Sequence, residues 1–232
     1  MRMLIIGATG YVGRHVVATA RRAGHDVVAH VRPGSPGGDR AAAGFVGAGV
    51  RVVRTQWSAE AWYRSLESDP PDRVFLLLGT TAARARAAAA SSAADASQEA
   101  VDLGLTMMVL TALRSAAPEA GVIYLSAIGA SPKANAYLRV RASIESELER
   151  GRNPFTIIRP SFITGPDRTE SRPAERLGAT LGDAVLSVVR LLGGRRVASR
   201  YSSISGAALA EILVRLATRQ PDRSIHTLDD FR

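Results

Sequence analysis

The sequence predicts an α/β fold: a doubly wound parallel sheet with helices on both faces and a small C-terminal lobe. Three observations carry this. Apolar strand-like runs alternate with helical stretches through the first two-thirds of the 232 residues. Several runs are continuously apolar, as strands covered on both faces must be, notably Phe75-Leu-Leu-Leu and Val122-Ile-Tyr-Leu. A glycine-rich turn joins the first run to the first helix.

In chain order, strands are predicted over 3–6, 26–31, 50–54, 73–78, 122–126 and 155–159. Helices are predicted near 11–23, 38–48, 58–67, 96–116 and 137–150. The Pro- and Gly-containing stretch 33–38 and Pro70-Pro71 mark loops between them. The alanine-rich stretch 82–96 either extends the following helix or forms a flap. After Pro160 the alternation stops. Leu177, Leu181, Val185, Val188, Val189 and Leu192 recur at helical spacing, and a further amphipathic helix covers about 206–218. No repeat or long linker divides the chain. A single domain over 1–232 is expected, with 161–232 supplying most of a lobe over the carboxyl ends of the strands.

Composition narrows the classes of function. Hydrophobic residues make up 46%, too many for a disordered chain. The sequence has no cysteine, which removes disulfides, thiol catalysis and thiolate metal sites, and suits a reducing, cytoplasmic setting. His15, His25, His30 and His226 lack ligand spacing, so no metal site is expected. The first residues read as a strand and not as a signal peptide, and no run reaches the roughly 20 apolar residues of a membrane span. The net charge of +9 comes from dispersed arginines, Lys133 being the only lysine among 30 basic residues. With only 5% aromatic residues there is little material for base stacking, so the charge reads as a solvated surface and no specific nucleic acid is expected. The partner to expect is a small-molecule substrate, with the chain a monomer or homodimer and no membrane involved.

The turn Gly7-Ala-Thr9-Gly10-Tyr11-Val12-Gly13 follows a strand and opens a helix. Gly7 permits the tight bend, Gly10 lets backbone approach a pyrophosphate, and Gly13 lets helix and strand pack closely. The helix N-terminus supplies free N–H groups and a positive dipole end for phosphates. In that βαβ context the motif predicts a Rossmann-type dinucleotide site. After the second strand stands Arg32-Pro-Gly-Ser35, where an NAD site carries an acidic residue. Arginine accommodates a 2′-phosphate, so NADP(H) is preferred and NAD(H) is the alternative, with Arg32 the main contact and Ser35 a helper. Arg54, at the end of the third strand, either lies near the adenine or is a surface residue. Leu78, Gly79 and Thr80 end the fourth strand and approach the cofactor from the other side. Pro160, Ser161 and Ile163 end the sixth and line the ring pocket, with Phe162 beside them.

Together with Gly-Ala-Thr-Gly-Tyr-Val-Gly and Arg159-Pro160, several segments extend the pattern over nearly the whole chain. They are Leu78-Gly-Thr-Thr81, Leu125-Ser126, Tyr137-Leu-Arg-Val-Arg141, Glu170-Ser-Arg-Pro173 and Ile225-His226. The sequence resembles the atypical short-chain dehydrogenase/reductases, in the branch that includes the Tat-interacting-protein oxidoreductases. The resemblance implies hydride transfer to a carbonyl or from an alcohol. In that family a serine holds the substrate oxygen, a tyrosine exchanges its proton, and a lysine four residues on binds the ribose and lowers the tyrosine pKa.

Ser126 and Tyr137 match the first two positions. The third is Arg141, which lies on the same helix face as Tyr137 and supplies charge but does not release a proton. Two readings stay open: Arg141 works electrostatically, or redox chemistry is lost and the nucleotide is held by a sensing, interacting protein. Epimerisation, dehydration or cyclisation on the same fold is a further alternative. Lys133, between Ser126 and Tyr137, either adds a charge near the site mouth or is a solvated loop residue.

Overall fold

The computed structural model describes residues 1–79, 97–164, 203–219 and 222–231. Its main sheet has seven strands in the order β3-β2-β1-β4-β5-β6-β9, every neighbouring pair parallel. These are β1 Arg2–Ile6, β2 Asp26–His30, β3 Arg51–Val53, β4 Arg73–Leu76, β5 Gly121–Leu125, β6 Phe155–Arg159 and β9 Ser224–Thr227. Two short strands, β7 Ile163–Thr164 and β8 Ile204–Ser205, pair apart from it. The helices are α1 Tyr11–Arg22, α2 Gly38–Gly47, α3 Ala59–Ser68, α4 Ser97–Ala116, α5 Ala136–Arg150 and α6 Gly206–Ala217.

The chain enters mid-sheet at β1, runs outward to β3, then crosses back to β4. Ile6 therefore pairs with His30 on one side and Leu76 on the other. The reversal between β1 and β4 opens a crevice at the carboxyl edge, where open α/β sheets bind ligands.

Two apolar layers hold the sheet. Met3, Ile5, Val27, Ala29 and Phe75 pack against Val12, Val16 and Val17 of α1 and Leu209, Leu213 and Val214 of α6. Leu4, Ile6, Val28, Val74 and Leu76 pack against Trp62 and Leu66 of α3, Leu110 and Leu113 of α4, and Ile144 and Leu148 of α5. Alternate residues of one strand thus feed opposite layers. Each wholly buried aliphatic side chain adds about 1.5–3 kcal/mol.

The predicted strands and helices over the described residues all form, with ends shifted by two residues or fewer. The stretches 82–96 and 177–192 lie outside the described residues. Within the segment assigned to a lobe, α6 packs on α1 and β9 extends the sheet beside β6, so both belong to the layered core. β9 was not predicted: Ser-Ile-His-Thr is short and mostly polar, as an edge strand can be.

Arginines do more than coat the surface. Arg73 donates to the carbonyls of Ala217, the last residue of α6, and Arg219 just beyond it. Arg114 and Arg223 close carbonyls at the end of α5, those of Glu147, Glu149 and Gly151. Carbonyls at a helix end run short of backbone donors, and one guanidinium serves several at once, although Glu147 O also accepts from Gly151 N at 3.0 Å. No helix among the described residues is long and apolar enough to cross a membrane.

Candidate active site

The glycine-rich turn sits on the carboxyl edge between β1 and β4. Gly7 has φ +89°, and a Cβ there would lie 2.8 Å from the carbonyl carbon and oxygen of Leu77. A Cβ on Gly13 would lie 2.1 Å from Gly7 O. Both glycines are required by the protein's own packing. Gly10 is different: a Cβ there meets only Gly7 O, at 3.2 Å.

Gly10 is also the N-cap of α1, with no side-chain cap and no acidic residue in the first turn. A helix N-terminus without a side-chain cap beside a backbone cradle suits a pyrophosphate. Gly10→Ala is therefore expected to fold with only a small fall in melting temperature yet bind NADPH at least about tenfold more weakly, by calorimetry. Retained affinity would place the phosphates elsewhere.

The other predicted residues of the turn contribute backbone more than side chain. Val12 is core and Thr9 is exposed. Tyr11 spends its hydroxyl on Thr164 O at 3.1 Å, tying the turn to β7.

On the far side of the crevice, α5 begins at its N-cap Asn135, whose side chain accepts from Leu138 N. Tyr137, Arg141 and Glu145 follow at intervals of four and share a helix face. Tyr137 is 38% exposed, whereas Arg141 and Glu145 are 7% and 4% exposed. Arg141 Nη1 donates to Leu78 O (2.9 Å), Leu125 O (3.1 Å) and Tyr124 Oη (3.2 Å). Its guanidinium carbon lies 5.0 Å from the Tyr137 ring centroid and 5.8 Å from that of Tyr124. A Cβ on Gly79 would lie 2.1 Å from Arg141 Nη2, so Gly79 is the residue that lets the guanidinium in.

Burial works against the charge on Arg141, but the phenols of Tyr124 and Tyr137 outweigh it and hold its pKa above the ordinary value. Tyr124 is pushed up to about 12 by burial, with Arg141 opposing. The position where the family resemblance implies a lysine thus holds a cation that does not titrate near neutrality and is tied to the ends of β4 and β5.

Ser126 is buried at the end of β5, and its hydroxyl donates to Glu145 Oε1 at 2.5 Å. Arg159, at the end of β6, grips the same carboxylate from Nε (2.9 Å) and Nη2 (2.5 Å). The family resemblance implies that Ser126 holds a substrate oxygen; in this arrangement its hydroxyl faces Glu145. A carboxylate is the stronger acceptor and takes the hydroxyl proton, leaving Ser126 able only to accept from a ligand. Glu145 was missed in the sequence because a glutamate inside a helix ordinarily reads as solvated. Its spacing from Tyr137 and Arg141 was the available signal.

Toward the other sheet edge, Arg32 follows β2 and is exposed. Ser35 Oγ is buried and lacks a hydrogen-bond partner among the described residues; a Cβ on Gly38 would meet it at 2.3 Å. Its hydroxyl is tucked under the start of α2, so the helper role does not follow from this arrangement. Arg54 pairs with Asp39 at 2.6 Å. Beneath the ends of β2 and β3, the ring of His30 lies 5.4 Å from that of Trp57 and 4.9 Å from that of Trp62, and His30 Nε2 meets Thr55 O at 3.2 Å. Burial lowers the His30 pKa, so this cluster stays uncharged at neutral pH.

At the end of β6, Pro160 is buried and its carbonyl accepts from Ile128 N at 2.9 Å. Ile163 packs against the α1–α6 layer. Ser161 is half-buried, while Phe162 is 62% exposed and not core. Thr80 and the segment Glu170–Pro173 lie outside the described residues. Lys133 is exposed in the loop between β5 and α5. No cluster of three potential metal-ligating side chains occurs among the described residues.

A parallel sheet reversing at β1/β4, an open helix N-terminus over a glycine turn, and a Tyr–Arg pair across the crevice define a dinucleotide-binding Rossmann protein. The comparisons agree. Residues 7–190 match the NAD(P)H-binding family, and the chain belongs to it.

Among named relatives, it is 43% identical to an isoflavone reductase homolog of Zea mays over 56 residues, 23% of this chain and only 18% of that protein. It is 32% identical over 174 residues to protein fmp52, mitochondrial, of Aspergillus clavatus, covering 74% of this chain and 70% of that one. Among solved structures it is similar to an anaerobillin reductase from Escherichia coli O157:H7, with TM-score 0.63, 15% identity, and 98% and 96% of the two chains covered. It is likewise similar to a UDP-glucose 4-epimerase from Thermotoga maritima, with TM-score 0.67, 17% identity, and 98% and 76% covered. At these identities the structures speak for the fold.

Proposed function

We propose that the protein is an NADP(H)-dependent oxidoreductase acting on a small carbonyl or alcohol. The observation that carries this reading is the exposed Tyr137 hydroxyl-bearing ring set against the fixed cation Arg141, on the same sheet edge as the open N-terminus of α1. Gly10 and the first N–H groups of α1 would hold the pyrophosphate, and Arg32 the 2′-phosphate. Gly79 and the Pro160–Ile163 stretch would flank the ring. When bound, the dinucleotide supplies or accepts hydride.

The chain's own part is proton transfer and placement. Tyr137 gives a proton to, or takes one from, the substrate oxygen. Arg141 keeps a positive charge against the Tyr137 ring, where it favours negative charge developing on the phenol oxygen. Ser126, its proton committed to Glu145, holds the end of β5.

The cofactor reading is tested by titrating NADPH and NADH calorimetrically into wild type and Arg32→Ala. Tight NADPH binding is expected, weakened at least about tenfold in the variant while NADH is unaffected, since one phosphate ion pair is lost. Equal affinity for both nucleotides would move the site to NAD(H) and make Arg32 a surface residue.

One observation favours a second reading, a protein that binds the nucleotide without turning it over. Arg141 Nη1 is already committed to three acceptors, so it is less free than a lysine to serve a ribose. In that case Tyr137→Phe would leave the nucleotide response unchanged and no substrate would be reduced.

A further inference from the structure

We infer that Glu145 is a positioning residue for the nicotinamide half of the bound dinucleotide, acting through Arg159 and Ser126. The inference rests on the proposed reading, in which the ring lies beside Pro160–Ile163.

Glu145 is almost wholly buried, yet each of its oxygens is engaged: Oε1 by Ser126 and Arg159 Nε, Oε2 by Arg159 Nη2. One carboxylate on α5 therefore fastens the carboxyl ends of two adjacent strands, β5 and β6. Arg159 immediately precedes Pro160. The same strand end is stitched by Ser126 N to Ile158 O at 2.8 Å and by Ile128 N to Pro160 O at 2.9 Å. Tyr137 lies on the same helix as Glu145, so the ion pair also fixes the register between the tyrosine and the β6 end.

Gly7–Gly13 and Arg32 lie at the ends of β1 and β2. Within the sheet order, β4 separates β1 from β5, and among the described residues Glu145 bonds to Ser126 and Arg159, at the ends of β5 and β6. A carboxylate that is almost wholly buried and held by two guanidinium nitrogens and a hydroxyl fixes geometry even where its net contribution to stability is small, Arg159 itself being 31% exposed. Glu145 should thus govern one half of the ligand and leave the other alone.

Two ligands separate the halves: NADPH, and 2′,5′-ADP, which lacks the nicotinamide. Calorimetric affinities for both are compared in wild type and Glu145→Gln. They are also measured in Glu145→Gln with Arg159→Gln, which removes both charges together and preserves folding if the single variant does not. In the variants, 2′,5′-ADP should bind within about twofold of wild type. NADPH should weaken about tenfold, because a small displacement of the ring floor loses most of its contacts. The fluorescence of bound NADPH should move toward that of free NADPH. Glu145→Asp, which keeps the charge but shortens the reach, should fall between.

Parallel weakening of both ligands would mark a merely structural pair and overturn the inference, as would no weakening of either. Failure of wild type to bind either ligand would instead overturn the cofactor reading, and Glu145's role with it.

Discussion

Arg141→Met is expected to cost about 3 kcal/mol of folding stability, measured by urea unfolding. The reasoning starts from acceptors. Leu78 O and Leu125 O are carbonyls beyond or at the ends of β4 and β5, and Tyr124 Oη is buried; one guanidinium nitrogen serves all three. Methionine matches the stem and leaves those oxygens without their donor, at about 1–3 kcal/mol for each one that water does not reach. The phenol can rotate, which limits its share.

The loss is large against a total of about 5–15 kcal/mol and corresponds to a fall in Tm of about 6–12 °C for a chain of this length. Gly79→Ala should destabilise through the same contact from the opposite side, since its Cβ would sit 2.1 Å from Arg141 Nη2. A loss below about 1 kcal/mol for Arg141→Met would mean that solvent already reaches these carbonyls, and the clamp would have no energetic meaning.

The second large effect concerns chemistry. Tyr137→Phe should lower turnover of a carbonyl substrate by about 10²–10⁴-fold, the usual range for removal of a general acid. NADPH affinity should stay nearly unchanged, because the ring and its contact with Arg141 persist. Steady-state rates read from NADPH absorbance, together with a calorimetric titration, would separate the two quantities. Equal rates in variant and wild type would remove Tyr137 from the mechanism. Turnover by neither, with nucleotide still bound, would favour the non-catalytic reading.

What could be seen in advance followed from how local each signal is. The glycine turn states its conformation in three residues, and apolar runs such as Val122–Leu125 state that both faces of a strand are covered. Fold and crevice were legible for that reason. β9 was not, because a four-residue edge strand needs only one partner and can be polar on its open side. The direction of the Ser126 hydroxyl was hidden as well, since it depends on Glu145 and Arg159, residues 19 and 33 positions away whose meeting is a property of packing. Arg141 was visible as a departure from lysine. Its clamp on Leu78 and Leu125 was not, because backbone carbonyls leave no mark in a sequence. The abundant arginine, which composition makes look like surface coating, closes helix ends through Arg73, Arg114 and Arg223.

The solitary Lys133 gives the molecule an unusual seam. It is exposed in the loop that separates the strand carrying Ser126 from the helix carrying Tyr137. A lysine-specific protease has a single bond to cut in this sequence, and it divides the chain between the two sides of the crevice. The glycine turn and the first five strands of the main sheet remain in one fragment; α5, with Tyr137, Arg141 and Glu145, goes into the other. Arg141 and Glu145 reach back across that cut to Leu125 and Ser126, so whether the halves stay together reports on these polar contacts and the packing around them. An amine-reactive dye on the same side chain would sit at the edge of the crevice without disturbing any of the arginines.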